Sequence, residues 1–151
     1  MTDQKSERIM NRIFGVISLE LSALAFFAGL TAVASKNLKM GLFYLLILIV
    51  APVVIVYSFC TKCPCAEKGC GHILPGMLAE KLGKRPGDYT AVDLAAMMAS
   101  LGALVIFPQA WLIKSGKMML LFWMLLLTTL FQIRLFVCRS CRNEKCPGYP
   151  G

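Results

Sequence analysis

The chain reads as an all-α integral membrane protein. It is expected to form a four-helix transmembrane bundle built from two tandem helical hairpins, with a cytoplasmic cysteine-rich cap. A pseudo-twofold axis along the membrane normal would relate the hairpins. Three observations predict this. First, 58% of the 151 residues are apolar, gathered into four long runs almost free of charge. Second, the pairs Cys60-Thr61-Lys62-Cys63 and Cys138-Arg139-Ser140-Cys141 stand 78 positions apart, and the same offset lays Lys36 on Lys114, Lys39 on Lys117 and Met40 on Met118. Ser22/Ser100, Ala25/Ala103, Ala32/Ala110, Leu42/Leu120, Leu48/Leu126 and Ile55/Ile133 also match, which is the signature of an internal duplication. Third, the positive charge is unevenly shared among the segments between the runs.

Residues 1–12 form a polar segment with Lys5, Arg8 and Arg12. The first span covers 13–35, with Glu20 as its one charge. Its 23 residues would run roughly 34 Å as a helix, enough to cross the hydrocarbon. Ala32-Val33-Ala34 has the form of a signal-peptide cleavage site. The apolar run exceeds the usual length of a signal core, however, so the segment is expected to be retained. The second span covers 40–61 and contains Pro52, which completes a first hairpin repeat over 13–61. A loop over 62–90 follows, with a short amphipathic helix expected over 75–82 and a basic turn at Lys84-Arg85 whose charges, with Lys81, suit anionic headgroups. Thr90 and Asp93 stand three apart, as in a helix cap. The second hairpin repeat covers 91–137, with spans over 91–113 and 117–137 and a cysteine-rich tail over 138–151. Small residues such as Ala25, Ala28, Gly29 and Ala32 suit close helix packing.

Of the 16 Lys and Arg, only Lys36, Lys39, Lys114 and Lys117 fall in the two tight turns. The rest flank the other ends, so the positive-inside rule puts both termini and the long loop in the cytoplasm of a multi-pass cell-membrane protein. The net charge of +8 therefore reports orientation and lipid contact, not nucleic-acid binding. The lipid bilayer is the expected partner, with room for a membrane or cytoplasmic protein besides. Trp111, Trp123 and Tyr44 read as interfacial anchors near the turns. Glu20 reads as a functional carboxylate, as one half of a pinning pair with Arg134, or as a side chain snorkelling toward water.

The chemistry lies in two patches. One reads C-x2-C-x-C-x4-C-x-H from Cys60 to His72, and the other C-x2-C-x4-C-P from Cys138 to Pro147. Thiols on the reducing side of a membrane are kept from structural disulfides, which leaves metal or redox chemistry. A CxxC turn presents two thiolates, and two such turns complete a tetrahedral zinc site. Cys60, Cys63, Cys138 and Cys141 supply one set of four, while Cys65, Cys70, Cys146 and His72 supply a set of three thiolates and an imidazole. Zinc is the first expectation, holding a structural or sensing site in a protein that is not by itself an enzyme. One histidine within a cysteine cluster leaves no nucleophile–base pair for hydrolysis.

Iron or an iron–sulfur cluster is the alternative cofactor, in an electron-transfer subunit between a soluble donor and a membrane partner. The steps Cys63-Pro64 and Cys146-Pro147 resemble the Cys-Pro motifs of membrane-bound polyferredoxins from nitrate and nitrous oxide reduction. That resemblance covers two short motifs and implies iron–sulfur chemistry. The spacings here are two and four between cysteines, not the three of that family. Traffic of soft metal ions by thiols is a further alternative, weakened because no cysteine lies between Ile13 and Phe59 or between Asp93 and Val137.

Overall fold

The structure is a computed structural model and describes residues 2–63, 71–85 and 87–138. Among these the elements are helical: α1 (Thr2–Ala34), α2 (Leu38–Ser58), α3 (Ile73–Leu82), α4 (Ala91–Ile106), α5 (Gln109–Leu112) and α6 (Gly116–Gln132). A single 3₁₀ turn, Cys60–Lys62, ends α2, and a π-helical turn, Ile133–Val137, ends α6. Four stretches are long and apolar enough to cross a membrane: Ile9–Ala34, Leu38–Lys62, Ala91–Leu112 and Gly116–Val137. The chain is thus a multi-pass membrane protein in its helices.

Packing follows from residue size. α1 meets its neighbours with small side chains, Ala25, Ala28, Gly29, Ala32 and Val33 being buried, while Phe27, Leu42, Leu46, Ile49 and Phe131 face outward. Apolar tails solvate large side chains as well as a protein interior does, so small residues win the interface by allowing close approach. α1 packs along α6 and also against α2, and α2 packs along α4. α4 and α6 are linked through α5 and share little packing of their own. At the turn end, Ala25, Ala32, Leu112, Phe122 and Leu126 form one apolar cluster. Gly29 makes room there for Pro108 and Phe122.

The turn from α1 to α2 is closed by Asn37, whose side chain accepts from the Met40 N–H at 3.2 Å. Gly41 meets Ala34 across it; a methyl on Gly41 would stand 2.7 Å from the Ala34 Cβ.

The third span is interrupted at Phe107-Pro108. Proline supplies no N–H, so the carbonyl of Leu104 loses its helical donor. The Tyr44 hydroxyl replaces it, donating to that oxygen at 2.7 Å, and the ring stacks on Phe107. The Gln109 side chain donates to the Val105 carbonyl at 2.7 Å and accepts from the Trp123 indole at 3.2 Å. Tyr44 is therefore no interfacial anchor: it is fully buried between α2 and α4, where it satisfies a backbone group that hydrocarbon could not. The expected Glu20–Arg134 pair is also absent; both side chains are exposed, and neither makes an ion pair among the described residues.

Candidate metal centre

The first CxxC lies where α2 runs out. Cys60, Thr61 and Lys62 make the 3₁₀ turn, and the Cys63 N–H closes it on the Cys60 carbonyl at 3.1 Å. Both intervening residues are tied down. The Thr61 hydroxyl donates to the Tyr57 carbonyl at 2.6 Å, and the Thr61 carbonyl accepts from the Arg85 N–H at 3.1 Å. The Lys62 ammonium reaches the Asp93 carboxylate at 2.6 Å and the Asp88 carbonyl at 2.9 Å.

Asp93 is the centre of this clamp. Its other oxygen accepts from the Arg85 guanidinium at 3.1 Å, and Arg85 also lies over the Tyr57 ring at 4.7 Å. Thr90 donates to Asp93 through both backbone N–H and hydroxyl, while the Asp93 N–H returns to the Thr90 hydroxyl at 3.3 Å. The expected cap is thus present, but the same carboxylate binds two cations as well. The side chains of Lys62 and Asp93 are each only 6% exposed. Such a pair holds its place because both carboxylate oxygens are hydrogen-bonded; stripped of one partner it would leave a buried charge. Arg85 accordingly meets a carboxylate and a ring, whereas Lys81 and Lys84 are exposed. Sequence reasoning missed the clamp because Asp93 was already accounted for as a cap. The available signal was a lysine inside a CxxC whose only nearby acids lie in the same loop and at the next helix start.

His72 lies at the other end of α3, as the residue before its first turn. Gly71 packs backbone to backbone on α1: a methyl at Gly15 would run into the Gly71 carbonyl, and one at Gly71 would stand 2.9 Å from Val137 and 3.2 Å from the Asn11 carbonyl. This seats the imidazole against α1, with Nε2 3.4 Å from the Ser18 hydroxyl oxygen. Burial holds the His72 pKa below its ordinary value, so the ring is neutral at pH 7. Val137, which touches Gly71, is buried and immediately precedes Cys138. Nearby, Phe14 stacks on Phe136 at 3.9 Å.

Of the expected ligands, Cys60 and Cys63 share one turn at the end of α2, Cys138 ends α6, and His72 docks on α1 between α3 and the α6 end. The three cysteines are half-buried. Cys65, Cys70, Cys141 and Cys146 lie outside the described residues. Among the described residues, no three His, Cys, Asp or Glu side chains gather as a metal-binding group. Comparison of the chain with protein-family models, curated proteins and solved structures gives no match.

Proposed function

We propose that the protein is a small integral membrane metal-binding protein whose paired CxxC motifs hold a zinc-type structural or sensing site at the cytoplasmic membrane surface. One observation carries this reading. The first CxxC is a closed turn whose two intervening residues are fastened by Tyr57, Arg85, Asp88 and Asp93, so its two thiols are presented from a fixed base. Thiolate pairs held on such turns are what a tetrahedral zinc site uses.

The duplication extends the argument to the second pair. Exchanging α1 with α4 and α2 with α6 turns the α1–α6 contact into the α4–α2 contact, although the α1–α2 contact has no counterpart of its kind between α4 and α6. In the duplication each repeat would still end in CxxC, the second with its two helices joined through α5. α2 and α6 flank α1, so an ion shared by Cys60, Cys63, Cys138 and Cys141 would tie their ends together across it. Cys65, Cys70, Cys146 and His72 would complete a second set. The cation count favours the termini and the long loop in the cytoplasm, where the thiols would stay reduced. The protein is then a membrane scaffold or sensor, not an enzyme.

The Cys-Pro steps support a second reading, in which iron or an iron–sulfur cluster passes electrons to a membrane partner. Purification without oxygen followed by elemental analysis separates the two. A colourless preparation containing zinc is the expected result; a brown one containing iron and acid-labile sulfide would replace zinc with the alternative, and a metal-free one would remove both.

A further inference from the structure

α3 carries its apolar side chains on the outside. It buries Gly76 and Ala79 and packs on α1, α2 and the 3₁₀ turn, while Ile73, Leu74, Met77, Leu78 and Leu82 are all exposed. At 3.6 residues per turn those five side chains spread over one half of the helix, and Lys81, exposed as well, stands in the middle of them. Glu80, the one acid of α3, falls at the edge of that half. A helix in water turns its apolar half inward; one that turns it outward is covered by something else. What covers α3 follows from how it is held. Before its first residue, Gly71 lies against Gly15, about 9 Å along α1 from Ile9 where the first candidate span begins, and against Val137, where the last span ends. After its last residue, the Arg85 N–H donates to the Thr61 carbonyl and the guanidinium lies over the Tyr57 ring, both residues of the Leu38–Lys62 span. Both ends of α3 are thus tied to the last turns of spans, and the helix runs across those turns instead of projecting beyond them.

We propose that α3 lies in the plane of the membrane and that its outward half seats an anionic phospholipid. Ile73, Leu74, Met77, Leu78 and Leu82 enter the acyl layer, and the Lys81 ammonium meets the lipid's phosphate. A lysine in the middle of an apolar half keeps its stem among acyl chains while its charge reaches the headgroup boundary. That charge gives the seat its preference for anionic over zwitterionic lipid. The seat uses no thiol and stands whether or not the cysteines hold an ion.

The test places the photoreactive residue p-benzoylphenylalanine at Leu74, which is 62% exposed, in the full-length chain. The protein is reconstituted in nanodiscs of mixed phosphatidylcholine and phosphatidylglycerol and irradiated, and its adducts are read by mass spectrometry. Phospholipid adducts are expected, with phosphatidylglycerol enriched about fivefold over its share of the bilayer, the effect of one lysine at an anionic surface. Lys81→Gln should keep the lipid adducts and return phosphatidylglycerol to its bulk share. Lys81→Arg, which keeps the charge, should retain the enrichment, and so should Lys114→Gln in the turn before α6. The absence of lipid adducts would overturn the proposal by leaving α3 in water. Adducts to a second copy of the chain would overturn it by naming a different occupant. Lipid captured at its bulk proportion in the wild type, or enrichment that Lys81→Gln leaves unchanged, would overturn the anionic seat.

Discussion

Pro108 and Tyr44 make one unit although 64 positions separate them. The proline opens a gap in the third span's backbone ladder, and a phenol from the neighbouring helix fills it. Tyr44→Phe keeps the ring and its stack on Phe107 but leaves the Leu104 carbonyl without a donor. It is expected to destabilise the folded protein by about 1–3 kcal/mol, the usual cost of a buried unsatisfied polar group, measured by denaturant unfolding in detergent. Replacing Pro108 with Ala in the Tyr44→Phe background restores a backbone donor and should recover part of that loss. His72 makes a second residue-scale case. Its docked ring refuses a proton that the undocked loop would accept below the ordinary histidine value of about 6.5. The undocked state therefore binds more protons on the acid side, and docking weakens as pH falls through that value. Gly15→Leu, which drives the Gly71 backbone off α1, should return the His72 titration to about 6.5, followed by NMR of the single histidine.

At the scale of elements, the loop after α2 is held by two devices that differ in kind. Near Cys60 and Cys63 it is an ion cluster around Asp93; near His72 it is the absence of side chains at Gly15 and Gly71. α3 spans the distance between them. Its ten residues are about 15 Å long, with Ile73, Leu74 and Met77 exposed and Gly76 and Ala79 turned inward. The clamp makes a sharp prediction. Asp93→Ala strands two cations, one of them nearly buried, and should destabilise by about 3–5 kcal/mol. It should also release the Cys60–Cys63 turn, seen as faster alkylation of those thiols in the reduced protein. Lys62→Met combined with Asp93→Leu removes the pair as a whole, leaving Arg85 its ring contact, and should be less destabilising than Asp93→Ala alone. Equal destabilisation by both variants would show that the ion cluster does not hold the turn.

For the molecule as a whole, the four spans were legible because their apolar runs are long and nearly uncharged, so only length and composition had to be read. The Thr90–Asp93 cap was legible for a similar reason: its partners are three residues apart. What stayed hidden involves partners far apart in sequence. Nothing local to Tyr44 marks it as the donor for Leu104, and nothing local to Asp93 reveals that Lys62 and Arg85 converge on it. The glycines at 15 and 71 look like ordinary small residues until the loop is seen lying on α1. Orientation is a prediction at this scale too. An impermeant thiol reagent applied to intact cells should leave Cys141 unmodified and label it only after the membrane is opened. Ready labelling from outside would place the cysteines on the other face and return them to disulfide chemistry.

An ion held by the cysteine patches at the ends of α2 and α6 would be lost with their thiols. The most direct measurement is zinc per chain, in protein purified without oxygen, for the wild type and for Cys60→Ser with Cys138→Ser. Bound zinc is expected in the wild type, with a loss of at least one ion per chain in the double variant. Equal zinc in the two proteins, or none in either, would contradict it.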